Sequence, residues 1–68
     1  MKIFTSIVER DLDTNFYVGY IPGFKGAHSQ GKTLDELKEN IREVIEMLLE
    51  DENIIFDREF VGTQQIVV

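Results

Sequence analysis

The stretch Thr33–Glu50, TLDELKENIREVIEMLLE, decides the fold of this chain because it predicts one long amphipathic helix. Thr33 and Glu36 have the spacing of a capping box, in which the two side chains accept hydrogen bonds from exposed backbone N–H groups at the helix start. The apolar residues recur at helical spacing and form one stripe: Leu34, Leu37, Ile41, Val44, Ile45 and Leu48. We therefore predict a helix over Leu34–Glu50 that packs on the rest of the chain through this stripe.

The residues before the helix predict three short strands. Ile3–Val8 and Phe16–Ile21 are rich in β-branched and aromatic residues, and Gly26–Gln30 is a shorter candidate. An Asp- and Asn-rich segment, residues 9–15, and the dipeptide Pro22-Gly23 separate them as turns. This spacing predicts an antiparallel meander of three strands.

Gln64–Val68, after the helix, predicts a closing strand. A helix between two strands favours a right-handed crossover that makes the last strand parallel to an earlier one. The expected fold is α+β with the order β-β-β-α-β, a four-stranded mixed sheet with one helix on one face. The 68 residues are expected to form a single domain, residues 1–68.

Both faces of the predicted sheet carry apolar residues, although one helix can cover only one face. Ile3 and Ile7 share one face of the first strand, while Phe4 and Val8 share the other. An uncovered apolar face in a small domain is typical of an interface, so we expect a homodimer or a higher homo-oligomer. The alternative is a twisted monomer with a half-exposed aromatic face.

The charge of the chain is acidic and unevenly distributed. Lys and Arg number 7 against 13 Asp and Glu, which gives a net charge of −6 and a pI near 4.5. Residues 35–59 hold ten carboxylates against three basic side chains. This sign argues against direct binding to a nucleic-acid backbone and suits a basic protein partner, although a solvated acidic surface is the commoner explanation.

The sequence lacks both cysteine and long apolar runs, and these two features indicate where the protein resides. The chain contains no cysteine, so disulfides and thiolate metal sites are excluded. No apolar run is long enough for a signal peptide or a membrane span, so the sequence predicts a soluble cytoplasmic protein that does not bind membranes.

One segment matches a phosphate-binding motif. Gly26–Thr33, GAHSQGKT, fits the pattern GxxxxGK[ST]. The motif should directly follow a buried strand, but Pro22–Lys25 intervenes, and 68 residues cannot build the large parallel sheet of a nucleotide hydrolase. His28 is the only histidine, and no other residues lie at a recognisable spacing from it for a catalytic set or a metal site. We expect no enzyme activity, no cofactor and no metal.

Two adjoining segments carry a family resemblance. YVGYIPGF over Tyr17–Phe24, followed by SQGKTLDEL over Ser29–Leu37, resembles the HicB family of antitoxins, with its tyrosine-rich strand, Pro-Gly turn and Gln-Gly-x-Thr-Leu entry to a helix. The resemblance implies a partial ribonuclease-H-like fold. It also implies that the protein binds and neutralises a small basic HicA-type toxin that cleaves mRNA. Many family members carry a C-terminal DNA-binding domain, which we expect this short form, ending at Val68, to lack.

The candidate site residues follow from the acidic charge and from the motif. We expect four acidic residues to steer a basic toxin and three residues around the turn to make packed contacts with it: Glu43, Glu46, Glu50 and Asp51, and Tyr20, Pro22 and Phe24. Four further residues are expected to build the motif itself: Gly23, Gly31, Thr33 and Glu36. The alternative function is a stand-alone oligomerising or ligand-sensing module without a toxin partner.

Overall fold

The computed structural model describes residues 2–51 and 53–68 of the chain. Its elements are the strands β1 (Ile7–Arg10), β2 (Tyr17–Tyr20) and β3 (His28–Gly31) and the helix α1 (Leu34–Leu48). The strands pair antiparallel in the order β1-β2-β3, so the predicted meander is confirmed. The first strand lies closer to the turn than the sequence indicates, and the helix ends with Leu49 as its C-cap.

Side-chain hydrogen bonds and left-handed backbone conformations form the two turns of the meander. In the first turn the Asp11 carboxylate accepts a hydrogen bond from the backbone N–H of Asp13 at 2.8 Å, and Asn15 adopts a left-handed φ of 63°. In the second turn Gly23 and Gly26 have φ values of 79° and 86°, which glycine adopts without steric cost. The turn predictions therefore hold at both places.

The helix begins at the predicted capping residues. The Thr33 hydroxyl accepts a hydrogen bond from the backbone N–H of Glu36 at 3.0 Å. The Glu36 carboxylate reaches back past Thr33 and accepts from the N–H of Lys32 at 3.3 Å. The cap is thus reciprocal, with the return bond one residue earlier than in the standard capping box.

The core lies between α1 and the part of the sheet made by β2 and β3. Its buried side chains are Ile21, Phe24, Ala27, Leu37 and Ile41. The helix backbone comes close to β3 and β2 but not to β1. Glycines in the two covered strands permit this approach. A Cβ atom at Gly19, for example, would lie 2.7 Å from the Cδ1 atom of Ile41.

The predicted four-stranded mixed sheet is wrong, because the described residues form a sheet of three strands. The chain after the helix touches the sheet only at an isolated bridge between Phe56 and Phe24, where the N–H of Asp57 donates to the carbonyl of Gly23 at 3.2 Å. Beyond Asp57 no described residue makes a backbone hydrogen bond to the sheet, so Gln64–Val68 lacks the ladder that defines a strand. The parallel crossover that this segment was expected to complete is therefore absent from the described chain.

The sheet face opposite α1 is mixed rather than uniformly apolar. Ile7 pairs with Tyr20 and Val18 pairs with Glu9 along β1 and β2, while the β3 residues on this face include Gln30. Polar residues therefore interrupt the apolar surface that the sequence pattern predicted there. The larger uncovered apolar surface lies on the other side, between β1 and α1.

Candidate functional site

The exposed side of α1 carries a continuous row of carboxylates. Successive members are three or four residues apart, so the four within α1 follow one line along the helix, opposite the apolar stripe, and the fifth lies in the turn after the helix. All of them are exposed to solvent. We call this row the carboxylate stripe: Glu36, Glu39, Glu43, Glu46 and Glu50.

Arg42 binds two members of the carboxylate stripe. Its guanidinium group forms ion pairs with Glu39 and with Glu46, the latter at 2.8 Å. The hydrogen bonds from Arg42 hold the pKa of Glu39 below its usual range, and the two carboxylates raise the pKa of Arg42. One cation among five carboxylates leaves the stripe strongly negative.

The C-terminal end of α1 adds to this negative potential. The last turn of the helix has no basic residue, although the partial negative charge of a helix C-terminus favours cations there. Glu46 and Glu50 lie at this end instead. The arrangement is unfavourable for the isolated helix and concentrates negative potential at this end.

Three of the four predicted acidic site residues belong to the carboxylate stripe, namely Glu43, Glu46 and Glu50. Asp51 follows the helix, and its carboxylate accepts a hydrogen bond from the backbone N–H of Asn53 at 2.9 Å. The sequence-based site did not include Glu39, and it assigned Glu36 only a structural role. The same three- and four-residue spacing that reveals the apolar stripe could have identified both.

The three residues predicted to make packed contacts lie apart from the acidic residues. Tyr20 is 45% exposed and lies on the sheet face opposite α1. Phe24 is only 5% exposed, and its ring packs 4.8 Å from that of Phe56 and 5.8 Å from that of Phe4, measured between centroids. Pro22 is half-buried in the turn. One flat partner surface could not contact Tyr20 and the carboxylate stripe together.

The motif residues have structural roles that the geometry makes explicit. Thr33 and Glu36 cap α1, as described above. A Cβ atom at Gly23 would lie 2.2 Å from the carbonyl oxygen of Arg58, so this glycine both forms the turn and leaves room for the chain that passes it. Gly31 lies directly beneath the first turn of α1.

An open apolar groove of about 740 Å³ lies between β1 with the residues before it and the uncovered side of α1. Val8 and Ser6 line one wall, and Leu34, Ile45 and Leu49 line the other. Val8 is 46% exposed and Leu34 is 56% exposed, because no other part of the described chain covers them. We call this surface the β1–α1 groove.

Residues 2–51 and 53–68 contain neither a cluster of metal-ligating side chains nor a helix that could span a membrane. Among them, the His, Asp and Glu side chains form no group that could hold a metal ion. The single described helix is too short and too polar to cross a membrane. Thr33, which belongs to the segment that matches the phosphate-binding motif, caps the helix.

The relatives found by comparison with known proteins share one family name. A UPF0150 protein of Synechocystis sp. is 48% identical over 65 residues, which cover 96% of this chain and 93% of the relative. UPF0150 proteins of Archaeoglobus fulgidus and Thermotoga maritima are 42% and 40% identical, over 96% and 98% of this chain and 93% and 91% of their own lengths. No protein-family model matches the chain, and no solved structure matches it significantly. Since these relatives are similar along almost their whole length, the chain belongs to the UPF0150 family.

Proposed function

We propose that this protein is a HicB-like antitoxin that binds and neutralises a small basic HicA-type toxin in the cytoplasm. It acts by binding rather than by catalysis and does not contact nucleic acid directly. The observation that carries the proposal is the carboxylate stripe, a row of five exposed acidic side chains with one neutralising arginine. The motif that resembles the HicB family supports it, because that motif forms β2, the following turn, β3 and the start of α1.

The stripe suits a basic protein surface for a physical reason. Complementary charge steers diffusing partners together and raises the association rate more than it lowers the dissociation rate. A toxin that binds RNA must itself present basic side chains toward phosphates. The stripe offers those side chains carboxylates in place of phosphates, so that bound antitoxin competes with RNA for the same surface.

Charge reversal tests the stripe. The triple variant Glu43→Lys, Glu46→Lys and Glu50→Lys changes the net charge from −6 to zero. A matched control, Glu9→Lys, Asp13→Lys and Glu59→Lys, makes the same change at exposed positions outside α1. We would measure the association rate of each with a purified HicA-type toxin at 0.1 M and 1 M salt, where the Debye length falls from about 10 Å to about 3 Å.

We expect the stripe variant to associate at least tenfold more slowly than the unmodified protein at low salt, and to lose most of its salt dependence. The control should keep most of the rate, because position matters more than net charge at short range. Equal slowing in both variants would refute the stripe as the binding surface. No association of the unmodified protein with the toxin would refute the proposed function.

The β1–α1 groove favours a second candidate function. An apolar groove with Lys2, Lys38 and Arg42 among its lining residues also suits a stand-alone oligomerising or ligand-sensing module. The neighbouring gene discriminates between the two functions, because an antitoxin gene should adjoin one for a small basic protein. In either case we propose that the protein assembles as a homodimer or a higher homo-oligomer.

A further inference from the structure

Two apolar surfaces of this chain lack a partner within the described residues. The first is the β1–α1 groove. The second is the segment of residues 60–68, FVGTQQIVV, which we call the tail. One surface is a groove and the other belongs to a single segment of chain.

The groove exists because α1 is offset toward one edge of the sheet. The helix packs on β3 and β2, where glycines let it come close, and leaves β1 uncovered. Val8 on the sheet side and Leu34 on the helix side are about half exposed as a result. Leaving this much apolar surface in water is unfavourable for so small a domain.

The tail is exposed along its whole length. Ile66 is 76% exposed and Val67 is 94% exposed. No described residue of the tail makes a hydrogen bond to the rest of the chain. The radius of gyration, 13.2 Å, exceeds the value of about 11 Å expected for a compact chain of this length, as a projecting tail requires.

Charge also matches the tail to the groove. Two copies that each carry −6 repel one another, so they can only meet through surfaces that are not acidic. The tail has no charged residue, and Asp57 and Glu59 precede it. The charged residues that line the groove are three basic ones, Lys2, Lys38 and Arg42, and one acidic one, Glu46, so its charge is not acidic.

We propose that the tail of a second copy of this chain occupies the β1–α1 groove, and that the exchange is reciprocal across a two-fold axis. The chain passes Gly23 at Asp57 and Arg58, and no residue of the tail that follows lines the groove of its own chain. Reciprocal exchange covers both grooves and both tails in one closed dimer, whereas a single copy as described covers neither. The carboxylate stripe borders the groove only at Glu46, so the dimer presents two stripes.

This inference does not depend on the antitoxin function, since it concerns only how two copies meet. Its test uses the absence of native cysteine. The double variant Val8→Cys and Ile66→Cys places one thiol in the groove and one in the tail. A short bismaleimide crosslinker is added, and the products are separated by mass under denaturing conditions.

We expect a covalent dimer, because the thiol in each tail lies beside the groove thiol of the other copy. A crosslink within one chain would show that the tail folds onto its own groove and would overturn the proposal. Uncrosslinked monomer would overturn it as well. The double variant Glu43→Cys and Ile66→Cys is the control and should yield little covalent dimer, because Glu43 lies on the stripe and not in the groove.

Light scattering on unmodified and substituted protein gives a second, independent measurement. Ile66→Asp with Val67→Asp should reduce the dimer to a monomer while leaving the helical circular dichroism unchanged. The control Leu12→Asp with Ile55→Asp adds the same charge at exposed apolar positions outside the tail and the groove, and it should remain mostly dimeric. A monomeric unmodified protein at high concentration, or a dimer that survives the Ile66 and Val67 changes, would overturn the exchange.

Discussion

A Cβ atom at Gly31 would lie 2.6 Å from the backbone nitrogen of Leu37. The end of β3 and the first turn of α1 are therefore in contact through their backbones, with no space for a side chain between them. Leu37 is only 2% exposed, and this contact fixes its depth in the core. This backbone contact explains how a four-residue strand and one helix keep a fixed position relative to each other in so small a domain.

Gly31→Ala should therefore be strongly destabilising. Because the obstructing atoms belong to the backbone, the added methyl group must push α1 away from the sheet, at a cost of about 1–3 kcal/mol. For a domain of this size each kcal/mol lowers the melting temperature by about 4–8 °C. Thermal denaturation followed by circular dichroism measures the change.

The matched control is Gly62→Ala, since a Cβ atom there would have no neighbour within 4 Å. It should change stability by less than about 0.5 kcal/mol. Equal melting temperatures for the two variants would contradict the close contact between β3 and α1.

Thr33→Ala should destabilise the protein by about 1 kcal/mol, the usual effect of removing an N-cap hydroxyl. The Thr33 hydroxyl accepts the N–H of Glu36, and alanine leaves that donor without its partner. Thr5→Ala is the control, because Thr5 is exposed and forms no side-chain hydrogen bond with the described residues. Urea denaturation should separate the two variants, and identical midpoints would argue against the cap.

Leu37→Ala tests the core itself and should cost about 2–5 kcal/mol, which could unfold so small a domain. Met47→Ala removes a side chain of similar size from the same helix, but Met47 is 63% exposed. The control should remain folded because it leaves no cavity. If both variants melted alike, the assignment of the core face of α1 would be wrong.

Arg42→Ala should raise the pKa of Glu39 toward its ordinary value, since Arg42 hydrogen bonds lower that pKa in the folded protein. A lowered pKa in the folded state stabilises the fold above the ordinary carboxyl pKa, and this contribution is lost as the pH falls through the lowered value. NMR titration of the Glu39 side chain measures the shift. Lys38→Ala should leave that titration unchanged, and an unchanged titration in Arg42→Ala would contradict the ion pair.

Much of the fold could be predicted because its signals are local. The Thr33 cap, the apolar stripe that follows it, and the Pro22-Gly23 turn each act within a few residues of sequence. These signals give the order of three strands and one helix correctly. The pairing of Gln64–Val68 could not be predicted in this way. An apolar run indicates that burial of the segment is favourable, but it does not indicate which surface buries it.

The candidate site was predictable only in part for a related reason. The spacing of Glu43, Glu46 and Glu50 predicts that they share one line on a helix, and the structure places Glu43 and Glu46 in α1 and Glu50 in the turn that follows it. Tyr20 and Phe24 are close in sequence, but strand alternation and the turn place one on the outer sheet face and the other in the core. The offset of α1 that opens the β1–α1 groove depends on the glycines opposite it, and the sequence pattern alone does not indicate that offset.

The most direct test of the account is inhibition of RNA cleavage. A purified HicA-type toxin, together with a defined RNA substrate, is titrated with this protein. We expect cleavage to fall with added protein and to stop near a stoichiometric ratio, and we expect the variant with Glu43, Glu46 and Glu50 changed to Lys to inhibit poorly. Cleavage that continues unchanged at a large excess of the unmodified protein would contradict the proposed function.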